Sequence, residues 1–138
     1  MTTEHQENVN LEGESAFMRL LGLRFEEVGP ERVVASFEAG RDHHQPWGIV
    51  HGGVFTAVIE SVSSIGGYQA VKDRDQRAVG VNNVTDFLRP HQQGKLHVVA
   101  EPLHQGKSQQ LWQAVITRAD GKTVARGQVR LQNIAADA

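Results

Sequence analysis

Residues 53–71 carry Val54, Ala57, Val58, Val62 and Ile65 at helical spacings, and this is the one long helical candidate in the chain. Whatever the chain folds into must cover that single apolar helix. The four segments after it, 78–88, 96–103, 111–118 and 124–134, all read as strands, with Asp120-Gly121 turning the last pair. Before it, Leu23, Phe25 and Glu27 alternate up to a Gly29-Pro30 turn, and residues 33–37 read as a second strand, so a hairpin opens the sheet. Residues 14–22, with Phe17, Met18, Leu20 and Leu21, suit a short amphipathic helix that Gly22 terminates. A hairpin, one long helix and four further strands imply an α+β fold, an antiparallel sheet wrapped around one long central helix.

A chain of 138 residues can bury one sizeable core and leaves no room for a second domain of ordinary size. We expect a single domain over 13–134, a frayed tail over 1–12 and a short tail over 135–138. Hydrophobic residues at 39% and charged residues at 22% fit a globular protein. A net charge of -2 argues against nucleic-acid and polybasic membrane partners, which need clustered Lys and Arg. The absence of cysteine excludes disulfides, thiolate zinc sites and a cysteine nucleophile together. Residues 1–10 are polar with no apolar h-region, and no stretch approaches the roughly 18 apolar residues of a membrane helix, so a cytoplasmic enzyme is expected.

The run His43-His44-Gln45-Pro46-Trp47-Gly48-Ile49-Val50-His51-Gly52-Gly53 leads straight into the long helix. Glycines at a helix entry let backbone approach a ligand, and the unpaired first-turn amides, at the positive end of the helix dipole, suit an oxyanion. Two turns on, Glu60 projects from a helix otherwise small and apolar, with Thr56 and Ser64 on its own face. An ionised Glu is rarely buried without a partner, so this one reaches a cavity or a neighbouring subunit.

His51-Gly52-Gly53, Glu60 and the strand from Val81-Asn82-Asn83-Val84 through Arg89-Pro90 together resemble the hotdog-fold acyl-CoA thioesterases, over residues 20–133. The nearest branch is that of the 4-hydroxybenzoyl-CoA and phenylacetyl-CoA thioesterases. There an acidic residue follows the motif histidine by nine positions, a glutamine precedes it by six, and a Ser or Thr follows the acid by four; here those places hold Glu60, Gln45 and Ser64. The resemblance implies hydrolysis of an acyl-CoA thioester. The Gly52 amide would polarise the carbonyl, Gln45 and His51 would place the acyl end, Glu60 would attack or activate water, and Ser64 would hold that water. It also implies a homodimer or homotetramer, the latter preferred, with Gln45, His51 and Gly52 of one chain facing Glu60 and Ser64 of the other. Coenzyme A is part of the substrate and no cofactor is implied. Its pantetheine arm is expected near Asn82, Asn83 and Val84, and its phosphates near Lys107, Ser108 and Arg89. Lys107 stands where Arg is common, and an ammonium lacks the bidentate fork of a guanidinium. Trp47 and Phe87 hint at a flat acyl group.

Blander roles stand beside these. Gly52 and Gly53 would serve as a plain turn, an isolated helical Glu is more often solvated, and Asn82, Asn83 and Thr85 read equally well as the exposed face of a strand. Asp42, His43, His44 and His51 lack the i, i+4 pairing of helical metal ligands, so no metal is expected. Two other functions remain open: a hotdog dehydratase or hydratase pairing His51 with Glu60, and a noncatalytic acyl-CoA-binding protein.

Overall fold

A computed structural model describes residues 10–13 and 15–138, and the part of the expected N-terminal tail over 1–9 lies outside them. Glu12, at the end of that stretch, accepts a hydrogen bond from the Phe25 amide at 2.8 Å and pairs with Arg24 at 3.5 Å. Helix α1, Ala16–Leu21, is capped by Ser15, whose hydroxyl accepts from the Met18 amide, and ends at Gly22 in the left-handed conformation (φ 73°). Strands β1 (Arg24–Val28) and β2 (Val33–Ala39) form the opening hairpin. Helix α2 runs Gly52–Val71, one residue earlier than its apolar periodicity suggests. Strands β3 (Gln76–Phe87), β4 (Gly94–Gln105), β5 (Gln109–Arg118) and β6 (Thr123–Ala135) follow.

All six strands join one antiparallel sheet in the order β1-β2-β4-β5-β6-β3. The strand that leaves the helix, β3, therefore sits at an edge. Alternation sends Trp112, Ala114 and Ile116 of β5 and Ala125, Val129 and Leu131 of β6 inward, where they meet Val58, Ile59 and Val62 of α2 in one core. At the β5–β6 turn Asp120 accepts from the Lys122 amide and pairs with Arg118, which holds its carboxyl below the usual carboxylate range.

Two helix glycines decide how closely α2 approaches the sheet. A Cβ on Gly66 would collide with the ring of Trp112, which is fully buried, and one on Gly67 would collide with Leu131. Beside them a buried polar network closes the contact: Gln110 donates to the Gly67 carbonyl (3.0 Å) and to Asn133 (2.9 Å) and accepts from the Trp112 indole (2.8 Å). Asn133 in turn donates to the carbonyls of Gly106 and Lys107, which anchors the β4–β5 loop. Two buried polar atoms have no hydrogen-bond partner among the described residues, Gln76 Oε1 and the hydroxyl of the fully buried Ser63.

Gly66→Ala should gain about 1 kcal/mol of helix propensity and lose about 1–3 kcal/mol to overpacking against an enclosed ring, so thermal unfolding should show a lower Tm. Ser63→Ala should raise Tm, because it removes a desolvated hydroxyl that costs about 1–3 kcal/mol.

Candidate active site

The segment entering α2 is held by backbone bonds and by its own histidines. His43 is buried; its Nδ1 accepts from the Gly40 amide (3.2 Å), so Nε2 carries the proton and donates to the Leu20 carbonyl (2.7 Å). His44 Nε2 lies 2.6 Å from the Gln92 carbonyl, an acceptor only, and therefore donates. Among the described residues no group of three or more His, Cys, Asp or Glu could hold a metal ion. Gly48 (φ 82°) closes a turn with its amide on the Gln45 carbonyl, and the Gln45 side-chain oxygen accepts from the Trp47 amide. That leaves the Gln45 NH₂ group without an acceptor among the described residues.

His51 caps α2. Its Nδ1 accepts from the Gly53 amide at 2.7 Å, and its own carbonyl accepts from the Val54 amide at 2.9 Å. Gly52 is thus left with the one amide of residues 52–54 that has no acceptor among the described residues. The ring of Phe87 lies over this glycine, 3.0 Å from where a Cβ would stand.

Phe87 separates two grooves. One is lined by Gln45, Gly52, Phe87, Leu88, Arg89 and Pro90. The other, about 640 Å³, is lined by Phe17, Gly53, Thr56, Glu60, Asn83 and Phe87, and its size is that of a ligand cleft. Glu60 is half-buried there. Its Oε2 accepts from Asn83 Nδ2 at 3.0 Å, while Oε1 has no donor among the described residues and lies against Gly80. Asn83 also donates to the Thr56 carbonyl (3.3 Å) and accepts from the Thr85 hydroxyl (2.7 Å). Ser64 follows Glu60 by one turn, half-buried, on the same side of the helix.

The expected coenzyme residues do not gather in one place. Asn82 and Val84 are exposed on the outer face of β3, paired with Arg130 and Gln128, whereas Asn83 faces the helix. Arg89 donates to the Thr123 carbonyl at the start of β6, whereas Ser108 accepts from the Asn133 amide near its end. Ten strand residues separate those anchors, roughly 33 Å. One chain cannot bring Arg89 and the Lys107-Ser108 pair to the same phosphate. Phe87 was expected only as a hint of a flat acyl group; Thr85 and Gly80 were not among the site residues expected from sequence, although a glycine inside a strand is itself a signal of a bulge or a close approach.

The model of the thioesterase superfamily matches residues 48–125. The chain belongs to that superfamily. The Mycobacterium tuberculosis protein Rv1847, provisionally named an esterase, is 45% identical over 84% of this chain and 84% of its own. Its solved structure superposes with a TM-score of 0.85 at 44% identity, covering 88% of this chain and 98% of that one. An Escherichia coli 1,4-dihydroxy-2-naphthoyl-CoA hydrolase is 31% identical, covering 84% of this chain and 85% of its own. A Haemophilus influenzae thioesterase structure superposes with a TM-score of 0.85 at 27% identity over 94% of this chain and 90% of its own. The hotdog fold is therefore shown, and these relatives support thioester hydrolysis as the class of reaction. No described helix of this superfamily member is long and apolar enough to cross a membrane.

The capping geometry makes a separable claim about His51. His51→Ala should lower stability by about 1 kcal/mol, the usual worth of an N-cap, and His51→Asn should restore it; thermal denaturation of both variants checks this.

Proposed function

We propose that this chain hydrolyses acyl-CoA thioesters to the free acid and coenzyme A, with Glu60 as nucleophile or general base. The observation that carries this reading is the Glu60 carboxylate, one oxygen fixed by Asn83 and the other without a donor among the described residues, at an open groove on a helix with no other charged side chain. Such a group can attack a carbonyl or draw a proton from water, and Ser64, one turn away, can hold that water. The Gly52 amide, without an acceptor among the described residues and at the positive end of α2, suits the oxyanion. The Gln45 NH₂ and the Nε2–H of the exposed His51, neither with an acceptor among the described residues, are donors for placing the acyl end. His51 is a poor partner for a hydratase, because the nitrogen that would take a proton already accepts from Gly53.

Gly52 and Glu60 lie eight residues apart on one helix, about 12 Å along its axis. An oxyanion donor and an attacking group must each come within about 3 Å of the same carbonyl group. One chain cannot supply both, so Gln45, His51 and Gly52 of one chain serve with Glu60 and Ser64 of another in a homodimer or homotetramer. The outer edge of β3, free of a strand partner among the described residues and bearing exposed Val81, Val84 and Phe87, favours such assembly. We place the enzyme in the cytoplasm, with the nucleotide end of coenzyme A near Lys107 and Ser108 of one chain or Arg89 of another, and the pantetheine arm along Asn82 and Val84. Trp47, 84% exposed, and Phe87, 57% exposed, offer flat surfaces to an aromatic acyl group, which the E. coli relative's name also specifies.

Free thiol should appear when the protein is incubated with a panel of acyl-CoA esters. Glu60→Gln, which keeps the shape and removes the charge, should lower kcat by about 10²–10⁴ while KM changes little. Activity within about threefold of wild type in a correctly assembled Glu60→Gln protein, far below the general-base range, would reject the assignment.

A further inference from the structure

We propose that Asn83 is a positioning residue that sets the Glu60 carboxylate in a slot opened in β3 by Gly80 and a bulge at Val81. The proposal rests on Glu60 being the reactive carboxylate, and it takes Asn83 out of coenzyme binding.

The bulge comes first. Gly80 pairs with Leu131 and Asn82 with Arg130, so Val81 is an extra residue between consecutive rungs of the β3–β6 ladder. Side chains in a strand alternate, so without the bulge, with Val81 in an ordinary ladder position, Asn82 and Val84 would follow Gly80 onto the helix side and Asn83 would face away. With it, Asn83 and Thr85 turn towards α2, opposite Val129 and Gly127 of β6.

The orientation of the Asn83 amide then follows from what its neighbours can do. The Thr56 carbonyl and an ionised Glu60 carboxylate only accept, and both face Nδ2, at 3.3 and 3.0 Å. The NH₂ group must point at them, which leaves Oδ1 to accept from the Thr85 hydroxyl at 2.7 Å. Both amide hydrogens are committed, so Asn83 has no donor left for a substrate. Its work is to hold Oε2 and thereby aim Oε1.

Gly80 supplies the space. A Cβ there would collide with Glu60 Oε1, and the three atoms nearest to it all belong to the Glu60 carboxyl group. Gly80 is not among the glycines with positive φ, so its backbone accepts alanine without strain. Gly80→Ala would therefore move the carboxylate and little else.

The experiment compares kcat, KM and Tm for Gly80→Ala, Asn83→Ala, Asn83→Asp, Glu60→Gln and the Asn83→Ala/Glu60→Gln double variant on one acyl-CoA ester. Gly80→Ala and Asn83→Ala should keep Tm within a few degrees, hold KM, and lower kcat by roughly 10- to 100-fold, the scale of an ångström misplacement. Asn83→Asp should lose at least as much, because it sets an acceptor against the carboxylate. The double variant should be no more than about threefold slower than Glu60→Gln, since a residue that acts only through Glu60 has nothing left to position. A raised KM with unchanged kcat in Asn83→Ala would return Asn83 to coenzyme binding and overturn the proposal, as would losses that multiply in the double variant. If Glu60→Gln is inactive while Gly80→Ala and Asn83→Ala keep the wild-type kcat, this proposal alone fails. If Glu60→Gln retains the wild-type rate, the assignment of Glu60 fails and this proposal falls with it.

Discussion

Because Gly66 and Gly67 carry no side chains, the second half of α2 comes down onto Trp112 and Leu131, and the height of the helix above the sheet is set at that contact. Gln110 fixes the same spot from the polar side by bonding the Gly67 carbonyl. Glu60 lies six residues before Gly66, about 9 Å along the axis, so the packed contact is close enough to control where its carboxylate meets β3. A helix riding an ångström higher would stretch the bonds from Asn83 to both Thr56 and Glu60 beyond useful range. Core packing and site geometry are here one constraint seen from two ends.

A carboxylate beside an apolar core is expensive unless something donates to it. Glu60 meets that condition partially: it is half-buried, has one neutral donor, and keeps its other oxygen open to the groove. A salt bridge in the same place would hold the group more firmly but would occupy the lone pairs that chemistry needs. Ser63, three residues further on, shows the opposite case, a hydroxyl buried with no partner among the described residues, and nothing in the structure explains it.

The fold was legible in the sequence because its two periodicities do not overlap. Five apolar residues at helical spacing marked α2 to within one residue of its start, and alternation marked the strands to within a few residues at each end. Glu60 stood out as the lone carboxylate of that helix. What alternation could not give was the face of each residue beyond Val81, because one unpaired residue reverses the count, and Asn82, Asn83 and Val84 were read as one group when the structure divides them. Long-range placement was equally hidden. Arg89 and Lys107 are 18 positions apart in sequence, and only the pairing of β6 with its neighbours reveals that they lie at opposite ends of the sheet.

The distance between Gly52 and Glu60 along α2 has a genetic reading. In the shared site proposed above each chain is half of two sites, so two variants that are inactive alone, one lacking the carboxylate and one lacking a working helix entry, combine in a mixed dimer. Such a dimer has one site with both defects and one with neither. Two dead alleles would then complement each other, and a chain defective only in Glu60 would silence one site of every dimer it formed with a wild-type chain without disturbing the other.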